Sequence, residues 1–241
     1  MRRLLILPDA ATLAAAAAEE FVRALESSSG PFRVALSGGS TPKALYGLLA
    51  DEKHPYRARV PWERLRFFWG DERCVPPDHP DSNYRMAREA LLSRVPVSPE
   101  RVHRIEGELP EAAEAARRYE DAVRRELGAE PRFDWIFLGL GADGHTASLF
   151  PGTTAVAERS KLVTSVWVEE KKTHRVTLTL PVLNAAKKIV FLVEGIDKAL
   201  TVQLVLQDAP SPVRPASQVL PKGELLWLLD RAAASRLAPA R

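Results

Sequence analysis

The segment running Leu138-Gly139-Leu140-Gly141-Ala142-Asp143-Gly144-His145-Thr146-Ala147-Ser148-Leu149-Phe150-Pro151-Gly152 contains the group best suited to move a proton. An apolar run enters a Gly-rich turn, where missing side chains let the backbone approach a ligand closely. His145 sits in that turn, and an unperturbed imidazole titrates at about pH 6.5, a range that serves proton transfer at neutral pH. Asp143 precedes it by two positions, and Asp71 lies in a separate polar cluster; these are the carboxylates that could assist catalysis. His54, His79, His103 and His174 fall in loop-like or mixed surroundings and read as ordinary surface histidines. No His-x-x-x-His pair and no carboxylate set has metal-ligand spacing, so no metal is expected.

Three further polar clusters follow apolar runs. Ser37-Gly38-Gly39-Ser40-Thr41-Pro42-Lys43 joins a strand to a helix through paired glycines, with Thr41 expected as the N-cap and Pro42 as the first helical residue. Such a turn aims free N–H groups, hydroxyls and the positive end of a helix dipole at one spot, which suits a phosphate. It lacks the Gly-Lys-Ser/Thr ending of a P-loop and the Gly-x-Gly-x-x-Gly of dinucleotide sites. Gly70-Asp71-Glu72-Arg73 ends an aromatic run; Arg73 could grip a phosphate or carboxylate with both arms, while Asp71 orients it or meets sugar hydroxyls. The same tetrapeptide could equally be a surface ion pair in a turn. Asp81-Ser82-Asn83-Tyr84 reads first as a helix N-cap, with Asn83 also placed to line a crevice, and Glu194-Gly195-Ile196-Asp197-Lys198 contributes Lys198.

The elements that must position these clusters alternate. Short β-type runs are predicted at Arg3 to Leu7, Phe32 to Leu36, Leu65 to Trp69, Trp135 to Leu140, Leu162 to Val168, Val176 to Leu180 and Ile189 to Val193. Helical periodicity predicts helices at Ala10 to Glu26, Pro42 to Ala50, Ser82 to Leu92, Ala112 to Leu127, Lys198 to Gln207 and Glu224 to Ala234, with the Pro-bearing stretch Val95 to Pro110 as an irregular crossover. Alternation of this kind defines an α/β chain, a mostly parallel sheet with helices on both faces. With no repeat, linker or composition shift, all 241 residues read as a single domain. Open α/β sheets bind ligands beyond the carboxyl ends of their strands, so clusters that each follow a strand should share one crevice.

Composition narrows the classes further. Basic residues number 34 and acidic 31, a net charge of +3 spread over interspersed signs, which speaks against a nucleic-acid partner. A lone Cys74 can form neither an internal disulfide nor a multi-thiolate zinc site. Leu4 to Leu7 is too short for a signal core and is broken by Pro8-Asp9, and no run approaches a membrane span, so a cytoplasmic chain without a membrane partner is expected.

Taken together, these segments resemble the 6-phosphogluconolactonase family of the pentose phosphate pathway. The likeness rests on Ser37 to Pro42, on Trp69 to Arg73 with Ser82-Asn83-Tyr84 after it, and on Gly139 to Gly152. Arg175-Val176-Thr177-Leu178-Thr179 with Leu183-Asn184, Gly195 to Ala199, Pro215-Ala216-Ser217 and Trp227 to Asp230 extend it over nearly the whole chain, in order. The resemblance implies a modified Rossmann-type sheet and a cofactor-free hydrolase of a sugar phosphate lactone, working as a monomer or small homo-oligomer. It makes His145 the general base, with Asp71 and Asp143 orienting it or binding hydroxyls. Ser37, Gly38, Gly39, Ser40, Thr41, Asn83, Arg73, Arg175 and Lys198 would hold substrate. Arg175 fits poorly, because at the start of a strand in a strictly parallel sheet it would face the opposite edge; it requires that strand to run antiparallel or the Lys171 to His174 loop to fold over.

Glucosamine-6-phosphate deaminases share this fold and the Asp-Gly-His turn, but place a catalytic Glu before Pro-Gly where this chain has Phe150. An apolar ring cannot relay protons, so the lactonase is favoured over an isomerising deaminase. A sugar-phosphate sensor is the non-enzymatic rival, and it would need a DNA-reading module that the sequence does not display.

Overall fold

In a computed structural model of the protein, residues 2–128 and 130–238 are described. The chain runs β1 (Arg2–Leu7), α1 (Ala10–Glu26), β2 (Phe32–Leu36), α2 (Ser40–Ala50), α3 (Pro55–Arg59), β3 (Leu65–Trp69), β4 (Asp71–Arg73), α4 (Asn83–Ala90) and α5 (Ala112–Leu127). It continues with β5 (Trp135–Leu138), α6 (Thr154–Ala157), β6 (Val163–Val168), β7 (Thr173–Leu178), α7 (Leu180–Ala185), β8 (Lys188–Val193), α8 (Ala199–Gln207) and β9 (Glu224–Asp230).

Six strands form one sheet in the order β1-β9-β8-β5-β2-β3, and every neighbouring pair is parallel. Parallel strands are covered on both faces and therefore read as unbroken apolar runs. Trp135, Ile136, Phe137 and Leu138 of β5 are all fully buried. Register fixes which side chains share a face: Trp135, Val34 and Phe67 are aligned, as are Ile136, Ala35 and Phe68. On the first face Phe21 of α1 packs edge-on against Trp135 at 5.4 Å, and Tyr46 of α2 meets Phe137. On the second, Phe68 meets Tyr119 of α5 and Phe133. Helices thus cover both faces, as the alternation predicts.

A smaller antiparallel sheet, β4-β7-β6, grows from the end of β3. Gly70 is the joint, its N–H donating to Leu36 O of the main sheet at 2.9 Å and its carbonyl accepting from Leu178 N–H of β7 at 2.9 Å.

Several expectations change. Glu224 to Ala234 is not a helix: Glu224–Asp230 is β9, inserted between β1 and β8, and its Leu225 to Leu229 are buried. A Leu-rich run hidden on both sides has no exposed stripe, so periodicity cannot separate strand from helix there. The stretch Asp71–Arg73, expected as a strand-end turn, is a short strand. β7 begins at Thr173, not Val176, and ends before Leu180, which starts α7. α2 starts at Ser40 with Gly39 as its N-cap at φ 106°, so Thr41 is not the cap and Pro42 lies inside the first turn. Ser82 does cap α4, accepting from Arg85 N–H.

Tyr119 is 2% exposed, and its hydroxyl accepts from Trp69 N–H at 2.7 Å while donating to Trp69 O at 2.8 Å. Replacing it by Phe leaves two backbone groups unpaired, so Tyr119→Phe should lower unfolding free energy by about 1–3 kcal/mol in urea titration. Tyr84→Phe, whose hydroxyl has no hydrogen bond among the described residues, is the control and should shift it by less than about 0.5 kcal/mol.

Candidate active site

The carboxyl ends of β8, β5, β2 and β3 open into a cavity of about 850 Å³. Ser37, Gly38, Gly39, Ser40, Thr41, Asp71, Arg73, Asn83, His145, Arg175 and Lys198 all line it. Asp143 does not; it is held behind His145. Its Oδ1 lies 2.6 Å from His145 Nδ1 and accepts the His145 backbone N–H at 3.1 Å. An ionised carboxylate can only accept, so Nδ1 carries the proton and Nε2 holds the free lone pair. Burial pushes the Asp143 carboxyl up, but the bonds from the His145 ring and backbone outweigh it and hold the group below the usual aspartate range.

Backbone geometry makes room for this pair. A Cβ on Gly141 would sit 2.1 Å from His145 Nδ1 and 2.6 Å from Asp143 Oδ1, so no side chain fits there. Ala147 adopts a left-handed φ of 47°, a strained conformation for a residue with a Cβ. The Phe150 ring packs against the His145 ring, centroids 4.1 Å apart and planes 30° from each other. Where a proton-relaying carboxylate would stand, an apolar surface supports the imidazole.

Asp71 is held on another side of the cavity. Its Oδ2 accepts from Ser148 Oγ at 2.6 Å, and Asn83 Nδ2 donates to its Oδ1 at 3.3 Å and its backbone carbonyl at 2.9 Å. Asn83 also explains Gly38, where a Cβ would lie 1.9 Å from Asn83 Oδ1. Glu72 alternates to the opposite side of β4 and serves structure. It accepts from the backbone N–H groups of Arg73, Asn83 and Tyr84 and from Ser82 Oγ, fastening the start of α4. Burial pushes its carboxyl up, and those N–H donors pull against the rise.

The cations have an unusual arrangement. Arg175 lies within β7, which runs antiparallel to β4, and is directly opposite Arg73. The misfit of a parallel strand is thereby resolved. Both Nε atoms are buried without a partner, and the Arg175 side chain makes no hydrogen bond or ion pair among the described residues. Burial, with the Arg73 charge alongside, pushes the Arg175 guanidinium down. Two adjacent guanidiniums without a matching carboxylate form a place for an anion. Lys198 Nζ is 3.2 Å from Asp197, and Lys171, from the β6–β7 connection, also lines the cavity.

Across from them, no hydrogen bond occupies the N–H groups of Gly38 to Thr41 among the described residues. The Ser40 hydroxyl donates to Glu194 Oε1 at 3.1 Å, which leaves this loop's backbone, more than that hydroxyl, to meet a ligand. Sequence reasoning missed Lys171, Glu194 and Ser148. The first would have followed from reading β6 and β7 as a hairpin that swings its tip to the strand ends; the others lie inside clusters the sequence does mark, but nothing in their residue type singles them out there. His103 also departs from its surface reading, its ring stacked on Phe68 at 4.7 Å. Among the described residues, no group of three or more His, Cys, Asp or Glu side chains could hold a metal ion, and no helix is long and apolar enough to cross a membrane.

The family model of glucosamine-6-phosphate isomerases/6-phosphogluconolactonase matches residues 8–227. The chain belongs to this family. Two similar relatives are named as lactonases: the 6-phosphogluconolactonase of Nostoc sp. is 40% identical, covering 97% of each chain, and that of Synechocystis sp. is 43% identical over 86% of this chain and 85% of its own. The solved 6-phosphogluconolactonase of Trypanosoma cruzi superposes with a TM-score of 0.85 at 33% identity, covering 99% of this chain and 97% of that one.

Gly141→Ala should keep the fold while pushing apart His145 and Asp143, lowering turnover of the lactone by about 10²–10³, the scale of a displaced proton carrier. For Asp143 the sign is set by its lowered value: a group depressed in the folded state stabilises above its ordinary titration range. The stability advantage of wild type over Asp143→Asn should therefore hold at neutral pH and vanish as pH falls below the ordinary value of 3.8, measured by urea midpoints.

Proposed function

We propose that the protein hydrolyses the δ-lactone of 6-phosphogluconate to the open acid, with His145 as general base. The observation that carries this reading is His145, held by Asp143 from behind, lining one cavity with two arginines that make no ion pair among the described residues. Water must attack the C1 carbonyl, and the ring oxygen must leave with a proton. His145 Nε2 takes the proton from water and returns it to the departing oxygen, while Asp143 holds the ring in the required tautomer and steadies the imidazolium. No Gly-x-Ser-x-Gly elbow is present, which favours direct attack by water over a serine ester.

The phosphate is held by the open N–H groups of Gly38, Gly39, Ser40 and Thr41, with Arg73, Arg175 and Lys198 supplying charge. Ser37 and Asn83 shape the loop and the wall beside it. Asp71 accepts from a sugar hydroxyl, because its own bonds go to Ser148 and Asn83 and not to the imidazole. Phe150 supports lactone hydrolysis over deamination, since the group packed on the face of the His145 ring is apolar and cannot relay a proton through ring opening.

A pH-controlled assay with freshly generated lactone tests the reading, because the substrate opens spontaneously and catalysis must exceed that background. His145→Asn should lower kcat by about 10²–10⁴ while binding 6-phosphogluconate as wild type does. The acid limb of the wild-type kcat/KM profile should be absent from the variant, since the base must be unprotonated to act. Retained activity would reduce His145 to a structural residue. Arg73→Ala should raise KM by about 10- to 150-fold, and unphosphorylated gluconolactone should be a poor substrate. Equal turnover of both lactones at low concentration would remove the phosphate from the site. Release of ammonia from glucosamine 6-phosphate, expected to be nil, would favour the deaminase.

A further inference from the structure

We infer that Ser148 is a positioning residue that keeps the Asp71 carboxylate from neutralising the arginine pair, a role that rests on the lactonase reading above. Ser148 is fully buried, and its Oγ donates its one proton to Asp71 Oδ2 at 2.6 Å. That oxygen makes no other hydrogen bond among the described residues. Its backbone N–H donates to Thr177 Oγ1 at 3.1 Å, and Thr177 stands opposite Asp71 across β4 and β7. The left-handed turn at Ala147 sends successive residues to different places, so that Ala147 lines the cavity while Ser148 enters the buried cluster.

The arrangement solves an electrostatic problem. Asp71 shares a short strand with Arg73, which is directly opposite Arg175, so Asp71 stands two ladder positions from Arg175 across β4 and β7. A free carboxylate here would rotate onto a guanidinium, since a charge-assisted pair outweighs an open lone pair. Yet no ion pair joins Asp71 to either arginine among the described residues. Asn83 holds Oδ1 only at 3.3 Å, so the short bond from Ser148 is the stronger restraint. With it in place the carboxylate remains available to a hydroxyl and the guanidiniums to an anion.

The test is a cycle of Ser148→Ala and Asp71→Asn in the full chain, read by steady-state kinetics and by calorimetric titration with 6-phosphogluconate. Ser148→Ala should raise KM and the 6-phosphogluconate Kd by about tenfold, the weight of one charge-assisted hydrogen bond, with kcat within about threefold of wild type. In the Asp71→Asn background, where no charge can swing onto the arginines, the same change should move KM and Kd by less than about twofold. Ser148→Thr, which restores the hydroxyl, should recover most of the affinity; should the added methyl unfold it, the cycle alone decides. Equal losses in both backgrounds, or a fall in kcat at constant KM, would overturn the proposal. Wild-type protein that neither opens the lactone nor binds 6-phosphogluconate would instead remove the functional reading beneath it.

Discussion

Strand ends are the constraint on which this structure depends. A parallel sheet covered on both faces must stop somewhere, and at its carboxyl edge backbone groups lose the next ladder partner while still surrounded by protein. Here side chains complete the ladder. Tyr46 closes on both backbone groups of Ser37 after β2, and Tyr119 on both of Trp69 at the end of β3. Thr146 Oγ1 donates to Gly139 O beyond β5, and Asp230 takes the Gly195 N–H beyond β8. With the edge satisfied from behind, the turns in front keep their remaining polar groups for a ligand.

A second sheet gives the cavity its other wall. The break at Gly70 lets one continuous polypeptide leave the six-stranded sheet and pair with β7, and that pairing sets Arg175 against Arg73. A purely parallel architecture could not have supplied this wall, because residues at the start of its strands point away from the crevice. The loop bearing His145 is fastened to the same small sheet through Ser148 and Thr177, so the proposed base and the proposed anion site share one support.

Much of this was legible in the residues, and the failures have physical causes. Paired glycines, an Asp two positions before a His and a basic residue after an aromatic strand are local signals, and each of these clusters reached the cavity. Glu224–Asp230 was misread because a strand buried on both sides carries no periodicity, and its partners β1 and β8 are distant in sequence. Thr41 looked like a cap by residue type, whereas the chain uses Gly39 in a left-handed conformation that a side-chain rule does not detect. Glu72 and Asp71 are adjacent in sequence and opposite in role, a split that depends on β4 being a strand, not a turn. Ser148 lies in the marked segment Gly139 to Gly152 but was not singled out, since its partner is a carboxylate 77 positions away.

The guanidiniums of Arg73 and Arg175, which make no ion pair among the described residues, also bear on how the protein survives between encounters with a ligand. Holding two like charges together with buried Nε atoms unmatched is a standing cost to the folded state. Any anion that settles between them supplies the missing counter-charge, and ligands that bind only the folded chain shift the folding equilibrium toward it. On the proposed reading, resistance to unfolding is therefore coupled to the supply of the anion. Mutations that relieve the repulsion would lengthen the life of the empty protein at the expense of the proposed recognition, the trade expected of a binding site that works against stability.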